Sequence, residues 1–360
     1  MSNVLIVGNG FDLAHGLPTK YSDYLKQLER SSDFYDHVNS EYHEPDWQEL
    51  DDLIDSVVCY HLTTKMNENK GWIDFELEIK EIVESVASIE NIFVRKLDIN
   101  TKKYYYIVSK DTLENIPIFL LRYIYRDGKQ QLRWEQEELK TLKEEVLKHI
   151  KLFISFFEKY LTWLFDSAQP ITPIPFFEKM SVDYFLSFNY TPTFEILYKN
   201  RYKIFGDENI CFVHGIIENT GKIVMGIGSE FYDENIHEDY VELFKFYQRY
   251  EYDTDYNYQE WIPLLSKERT LSFDNSNSEK NSKKHTIIIY GHSIDPTDRD
   301  ILYPFLSLDN VKVKIYYYGK DAKLQIEKNL LKILKRELFE KYLIGNEKKI
   351  YLIDSTKTVK

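Results

Sequence analysis

Only two cysteines occur in the 360 residues, Cys59 and Cys211, so neither a disulfide framework nor a cysteine-rich zinc site can be built. Both are expected as small buried hydrophobes in a reducing compartment. Basic residues are also short. The 46 Lys and Arg against 59 Asp and Glu leave a formal net charge of −13, which argues against nucleic acid as a partner, because neutralising phosphates takes a basic surface. No apolar run reaches the length of a bilayer span, so no membrane partner is expected. The N-terminus goes straight into a strand-like segment without the basic and apolar regions of a signal peptide, and a cytoplasmic location is expected. What is present is the composition of a folded chain. Hydrophobic residues make up 43% and aromatics 16%, with 29 Tyr and 22 Phe, enough for one large domain or two smaller ones.

The stretch from Val4 to Tyr21, VLIVGNGFDLAHGLPTKY, carries the most information. A β-branched run leads into Gly8-Asn9-Gly10, followed by Gly16-Leu17-Pro18-Thr19. A buried strand ending in glycines brings the backbone close to a bound phosphate, and a helix start beyond it offers N–H groups. Gly8 and Gly10 suit a turn that needs positive φ or has no room for a Cβ. A lone Gly-x-Gly is equally compatible with a plain tight turn.

The first strand covers roughly Asn3 to Val7, and the next comparable one is Asp183 to Ser187. Between them the pattern is helical. Leu139, Leu142, Val146, Ile150, Phe153, Phe157, Leu161 and Leu164 mark one apolar helix face, and Trp47 to Leu62 and Trp72 to Ile89 show a similar period. Prolines 170, 173 and 175 close the block. Strands are then expected at Tyr202 to Phe205, Ile210 to Val213, Lys222 to Met225, His285 to Tyr290, Val311 to Tyr317 and Lys349 to Ile353, with a helix from Lys320 to Tyr342. Glu230 to Trp261 reads as a helical insertion or lid, and Ser272 to Lys284 as a polar loop. This alternation predicts an α/β fold: a Rossmann-like, mostly parallel sheet with helices on both faces and a large helical insertion after the first strand. The expected division is a nucleotide-binding domain of residues 1–30 and 175–360 and a helical insertion domain of residues 31–174.

Ligands of parallel sheets bind at the carboxyl ends of the strands. Four strand ends carry small or polar groups: Gly8-Asn9-Gly10, Ser187-Phe188-Asn189-Tyr190-Thr191, His214-Gly215 and Gly291-His292-Ser293. Asn189 can orient a water or a ribose hydroxyl by donating and accepting together; alternatively it closes a turn before Pro192. His214 suits general-base work, since an ordinary imidazole titrates near neutrality, or it is a polar strand terminus. Asp12 is read as binding a ribose diol or holding the glycine turn, and His15 as structural. Asp295, Asp298 and Asp300 lie at a helix start, which attracts carboxylates, so Asp298 is read as a cap and no metal is expected. Trp72 and Glu76 can share a helix face that packs against the sheet.

With these residues assembled, the chain resembles the bacteriophage abortive infection AbiH family. The resemblance rests on VGNGFDLAHGLPTKYSDYL, WIDFE, LSFNYTPTFE, FVHG, IVMGIGS and YGHSIDPTDRDIL, in that order. At greater distance the layout is similar to the sirtuin-like NAD-binding fold. Gly8, Gly10, Gly16, Leu17 and Pro18 match its first motif, Asn189 its second, His214 its third, and Gly291 with Ser293 its fourth. Thr191 departs from the aspartate usual two places after that asparagine, and the Cys-x-x-Cys zinc module of protein deacylases is missing.

The resemblance implies a phage-defence effector that binds a nucleotide and hydrolyses NAD at the nicotinamide–ribose bond. Asn189 and His214 would be catalytic. Gly8, Asn9, Gly10, Phe11, Asp12, Gly16, Pro18, Thr19, Ser187, Gly215, Gly291, His292 and Ser293 would line the NAD site. A phage-derived trigger and a homo-oligomeric assembly are further partners to test. Two rivals stay open: a metal-dependent nuclease or nucleotide hydrolase using Asp12, His214 and the late aspartates, and a non-enzymatic nucleotide-binding signalling module.

Overall fold

The computed structural model describes residues 2–42, 46–69, 74–87, 89, 93–108, 120–121, 125–126, 129–130, 133–167, 171–202, 206–218, 221–234, 238–254, 256–266 and 284–358. The chain divides into two compact units, one of residues 1–19, 164–224 and 249–360, the other of residues 20–163 and 225–248.

The first unit is built on a six-stranded sheet of β1 (Asn3–Val7), β2 (Tyr184–Ser187), β3 (Ile210–Phe212), β4 (His285–Tyr290), β5 (Val311–Tyr317) and β6 (Ile350–Asp354). Every pairing is parallel, and the side-by-side order is β6-β5-β4-β1-β2-β3. This is the doubly wound Rossmann-like order, in which the direction of strand addition reverses between β1 and β4. The β1 and β4 strands are buried on both faces, which is why they read as continuous apolar runs. Alternate residues serve opposite cores. Val4, Ile6, Ile287, Ile289, Val313 and Ile315 pack on one face with Trp261, Leu302, Phe305 and Leu330. Leu5, Val7, Ile288, Tyr290 and Phe185 pack on the other with Phe11, Phe177, Phe194 and Tyr198. Helices therefore cover both faces, as the strand–helix alternation predicts.

In the second unit the long helix Gln136–Ser167 supplies Phe153, Phe157 and Tyr160 to an aromatic core with Tyr24, Phe34 and Phe75. Within it, fully buried Lys245 pairs with Glu76 of the WIDFE segment at 2.5 Å. Trp72 lies outside the described residues.

Three expectations are corrected. The stretch between β1 and β2 is not wholly helical: Val94–Leu97, Tyr104–Ile107 and Arg133–Glu135 form an antiparallel three-stranded sheet. Aromatic, β-forming Tyr104-Tyr105-Tyr106 fits it, and Asp98 accepts from the N–H groups of Asn100 and Thr101 to shape the turn. Lys222 to Met225 is not a strand; Val224 N–H instead donates to the His214 carbonyl, tying a loop across the end of β3. Tyr202 ends a helical turn, Asn200–Tyr202, where a strand was expected, and residues 203–205 lie outside the described residues. The expected loop Ser272 to Lys284 also lies outside them up to residue 283. Of the acidic stretch Glu230 to Trp261, helices Lys245–Tyr252 and Tyr258–Ser266 form the larger regular parts. No helix among the described residues is long and apolar enough to cross a membrane.

Candidate functional site

The parallel sheet brings the ends of β1, β2, β3 and β4 to one edge. The β1 and β4 loops meet there as backbone on backbone. Gly8 N–H donates to the Tyr290 carbonyl at 3.1 Å and Gly10 N–H to the Gly291 carbonyl at 2.8 Å. A Cβ on Gly10 would stand 2.5 Å from Gly291 Cα, and one on Gly291 would stand 2.5 Å from the carbonyl carbon of Gly10. Neither Gly8 nor Gly10 has positive φ, whereas Gly291 does at +68°. The Gly-x-Gly pair is therefore required by the close approach of the second loop. The amides of Gly8, Gly10 and Phe11 are all bonded to backbone carbonyls, so these three donors are already committed.

The remaining first-loop residues divide between scaffold and site. Phe11 is buried in the core against Phe177 and Tyr198. His15 bonds the Phe11 carbonyl and the Tyr198 hydroxyl, and burial lowers its pKa. Asn9 exchanges hydrogen bonds with Thr19: its Nδ2 donates to the Thr19 carbonyl at 3.2 Å, and the Thr19 hydroxyl donates back to its Oδ1. Gly16 supplies a left-handed turn at φ +83°, with Pro18 exposed beyond it.

Asp12 is the most perturbed group at this edge. It is 1% exposed, and Thr191 Oγ1 donates to its Oδ2 at 2.6 Å across 179 residues of chain. Thr191 in turn contacts the Thr193 hydroxyl at 3.2 Å. Burial pushes the Asp12 carboxyl up to about 6, against the polar side chains of Thr191, Thr193 and Asn189, which lower it. The Asn189 carboxamide helps to stabilise the anion, although its Nδ2 makes no hydrogen bond within ordinary geometric limits. Both that nitrogen and Asp12 Oδ1 are buried without a hydrogen-bond partner among the described residues. Each such orphan costs the folded state about 1–3 kcal/mol. Asn189 is fixed by its own N–H, which donates to Ser187 Oγ at 3.0 Å.

Raising a carboxyl from 3.8 to about 6 costs the folded state ~3 kcal/mol once it ionises. The stability linked to this group is complete below pH 3.8 and is lost as pH climbs through about 6. Asp12→Asn, which cannot ionise, should therefore unfold at higher denaturant than wild type at pH 7.5, by up to ~3 kcal/mol, and converge on it near pH 4. A gap that is the same at both pH values would refute this account.

His214 follows β3 and is 4% exposed. Its Nε2 lies 3.2 Å from Asp298 Oδ1, and His292 Nε2 lies 3.5 Å from Asp298 Oδ2, so one buried carboxylate stands between two imidazoles. Phe188 sets its ring edge-on to both histidines. The Ile294 N–H donates to His292 Nδ1 at 2.8 Å, which places the ring proton on Nε2, toward Asp298. Ile294 itself sits at φ +56°, a costly conformation for a β-branched residue, and the Asn329 amide pins the neighbouring Ser293 carbonyl. Gly215, at φ +76°, has the Lys222 carbonyl 2.4 Å from its Cβ position.

The expectation that Asp298 caps a helix is corrected. Asp295 does the capping, its Oδ1 accepting from Thr297 N–H at 3.0 Å, while Asp298 turns inward to the histidines and Asp300 pairs with buried Arg249. The link between Asp298 and His214 was invisible in sequence because it joins the loop after β3 to the helical turn after β4, 84 residues on. The spacing of the three aspartates carried no signal for it. Among the described residues one group has metal-ligand character, His61, Glu78 and Glu81, in the other unit. There Lys65 already stands 3.2 Å from Glu81 and 3.8 Å from Glu78.

The family model described as "Bacteriophage abortive infection AbiH" matches residues 4–318, a span that includes Asp12, Asn189, Thr191, His214, His292 and Asp298. No curated protein matches the chain.

Proposed function

We propose, from the premise that the chain belongs to the bacteriophage abortive infection AbiH family, that it binds NAD⁺ at the carboxyl end of its parallel sheet and hydrolyses the nicotinamide–ribose bond. Family membership supports the role in abortive infection; the reaction is read from the site. The observation that carries it is that Asp12, Asn189, His214 and Asp298 all follow the carboxyl ends of the neighbouring parallel strands β1, β2, β3 and β4, where strand order reverses, with Asp298 3.2 Å from His214.

In this reading Asn189 orients the attacking water and the ribose. The water oxygen bonds to the anomeric carbon as the C–N bond breaks, and its electron pair returns to the pyridine ring. Nicotinamide leaves neutral, so no general acid is needed. His214 accepts the proton from water, and the Asp298 carboxylate at 3.2 Å balances the imidazolium charge. A metal-dependent nuclease or nucleotide hydrolase would draw on Asp12, His214 and the late aspartates, of which Asp295 caps a turn, Asp298 faces two histidines and Asp300 pairs with Arg249.

The test is to incubate purified protein with NAD⁺, with and without EDTA, alone and with phage lysate, and to assay nicotinamide. Release that survives EDTA is expected. Loss of release with EDTA favours the metal enzyme, and tight binding without release favours a signalling module.

A further inference from the structure

Ile294 is β-branched and fully buried, yet its backbone stands at φ +56°. Strain of this kind persists only where the surroundings over-determine it, and it points to a use. The helix Gly319–Leu343 supplies the constraint, its Asn329 amide donating to the Ser293 carbonyl at 3.0 Å. The use is one hydrogen bond: the turned N–H of Ile294 donates to Nδ1 of His292 at 2.8 Å. The same imidazole is held by Phe188, edge-on at 4.2 Å between ring centroids. The first loop closes it in as well, since a Cβ on Gly8 would stand 2.9 Å from its Cδ2. With Nδ1 engaged as an acceptor, the ring proton is on Nε2, which faces Asp298 Oδ2 at 3.5 Å. Both ring nitrogens are thus committed inside the protein, and a ligand taking a polar contact from His292 would have to displace one of these partners.

Asp298 is 5% exposed and divides its oxygens between two loops, Oδ2 toward His292 and Oδ1 toward His214 Nε2 at 3.2 Å. The terminal torsion of a carboxylate is broad, so a single neighbour leaves its plane free to swing. A second neighbour, with its own ring fixed and its proton aimed at the other oxygen, holds that plane. We infer that His292 is a positioning residue: locked by Ile294, it holds the Asp298 carboxylate and, through it, the His214 imidazole. This rests on the reading of His214 as the base, and it takes His292 out of the set of residues that line the NAD site. It also gives the strained Ile294 turn its function, which is to fix a ring that touches neither substrate nor water.

Two substitutions separate the possibilities. His292→Phe keeps a ring against Phe188 and removes the Nε2 proton, whereas His292→Gln keeps an N–H at similar reach. In nicotinamide-release assays His292→Phe should lower kcat by about 10- to 100-fold with KM within about threefold of wild type, and His292→Gln should recover kcat to within about fivefold. Because the effect runs through the carboxylate, adding His292→Phe to Asp298→Asn should cost no more than about threefold further. A raised KM at unchanged kcat makes His292 a ligand contact and overturns the inference. An undiminished kcat in folded His292→Phe, equal losses in the two variants, or losses that multiply in full with Asp298→Asn overturn it too. His292→Leu takes the place of His292→Phe if that variant does not fold. A second readout needs no substrate. In protein carrying isotope-labelled histidine, the His214 ring signals, identified by their loss in His214→Ala, should shift in His292→Phe and return toward wild type in His292→Gln. If they do so and NAD⁺ is not cleaved, the positioning role stands and the NAD reading fails. If NAD⁺ is cleaved and those signals do not move, only the positioning role fails.

Discussion

Replacing His214 with alanine is expected to slow nicotinamide release from NAD⁺ by about 10²- to 10⁴-fold, the usual contribution of a positioned general base. The imidazole stands at the end of β3, edge-on to Phe188 and 3.2 Å from the Asp298 carboxylate, so its loss removes the proton acceptor and leaves a buried anion with one imidazole fewer. For a base that acts on the reacting water, as proposed for His214, the loss should fall on kcat with little change in KM. Asn189→Ala should match it within an order of magnitude, since an unoriented water loses the geometry on which attack depends. Both variants are to be checked for unaltered unfolding transitions before rates are compared. Full activity in either folded variant removes that residue from the mechanism.

Gly291→Ala should destabilise the first unit by about 3 kcal/mol or more. Its φ of +68° adds roughly 1–2 kcal/mol for a residue with a Cβ, and overpacking adds about 1–3 kcal/mol. The new carbon would stand 2.5 Å from both the Gly10 carbonyl carbon and the Phe11 nitrogen, backbone atoms that cannot rotate away. Gly16→Ala is the control. It shares positive φ, at +83°, but meets nothing within 4 Å, so only the conformational part remains. Denaturant midpoints at constant slope measure both, and equal losses would refute the loop-contact account.

The strands that organise the site were legible because a strand buried on both faces carries a near-continuous apolar run, as Ile287 to Ile289 does in β4. The convergence of four strand ends followed from parallel topology alone. What each side chain does there was less legible. Asp12 could be read only as a loop carboxylate, because its partner Thr191 lies 179 residues on and no local period couples them. Asp298 looked like a cap because helix starts favour carboxylates; Asp295, three residues earlier, takes that role in the fold. Lys222 to Met225 has strand composition but crosses the sheet end as a loop, since β3 offers its backbone to the Gly215 turn first. Of the two readings of Gly8 and Gly10, positive φ or no room for a Cβ, the second holds, and the occupant of that room is the second loop.

The order of the sheet also has a consequence for how the protein is made. The β1 strand is synthesised before both of its neighbours, which begin at residues 184 and 285. At translation rates of about 5–20 residues per second, the chain grows for roughly 10–35 s before the first neighbour exists, and longer before the second. Until then Gly10 has no Gly291 to pack against and Asp12 has no Thr191. A nascent or truncated chain that ends before β4 therefore lacks the assembled strand ends.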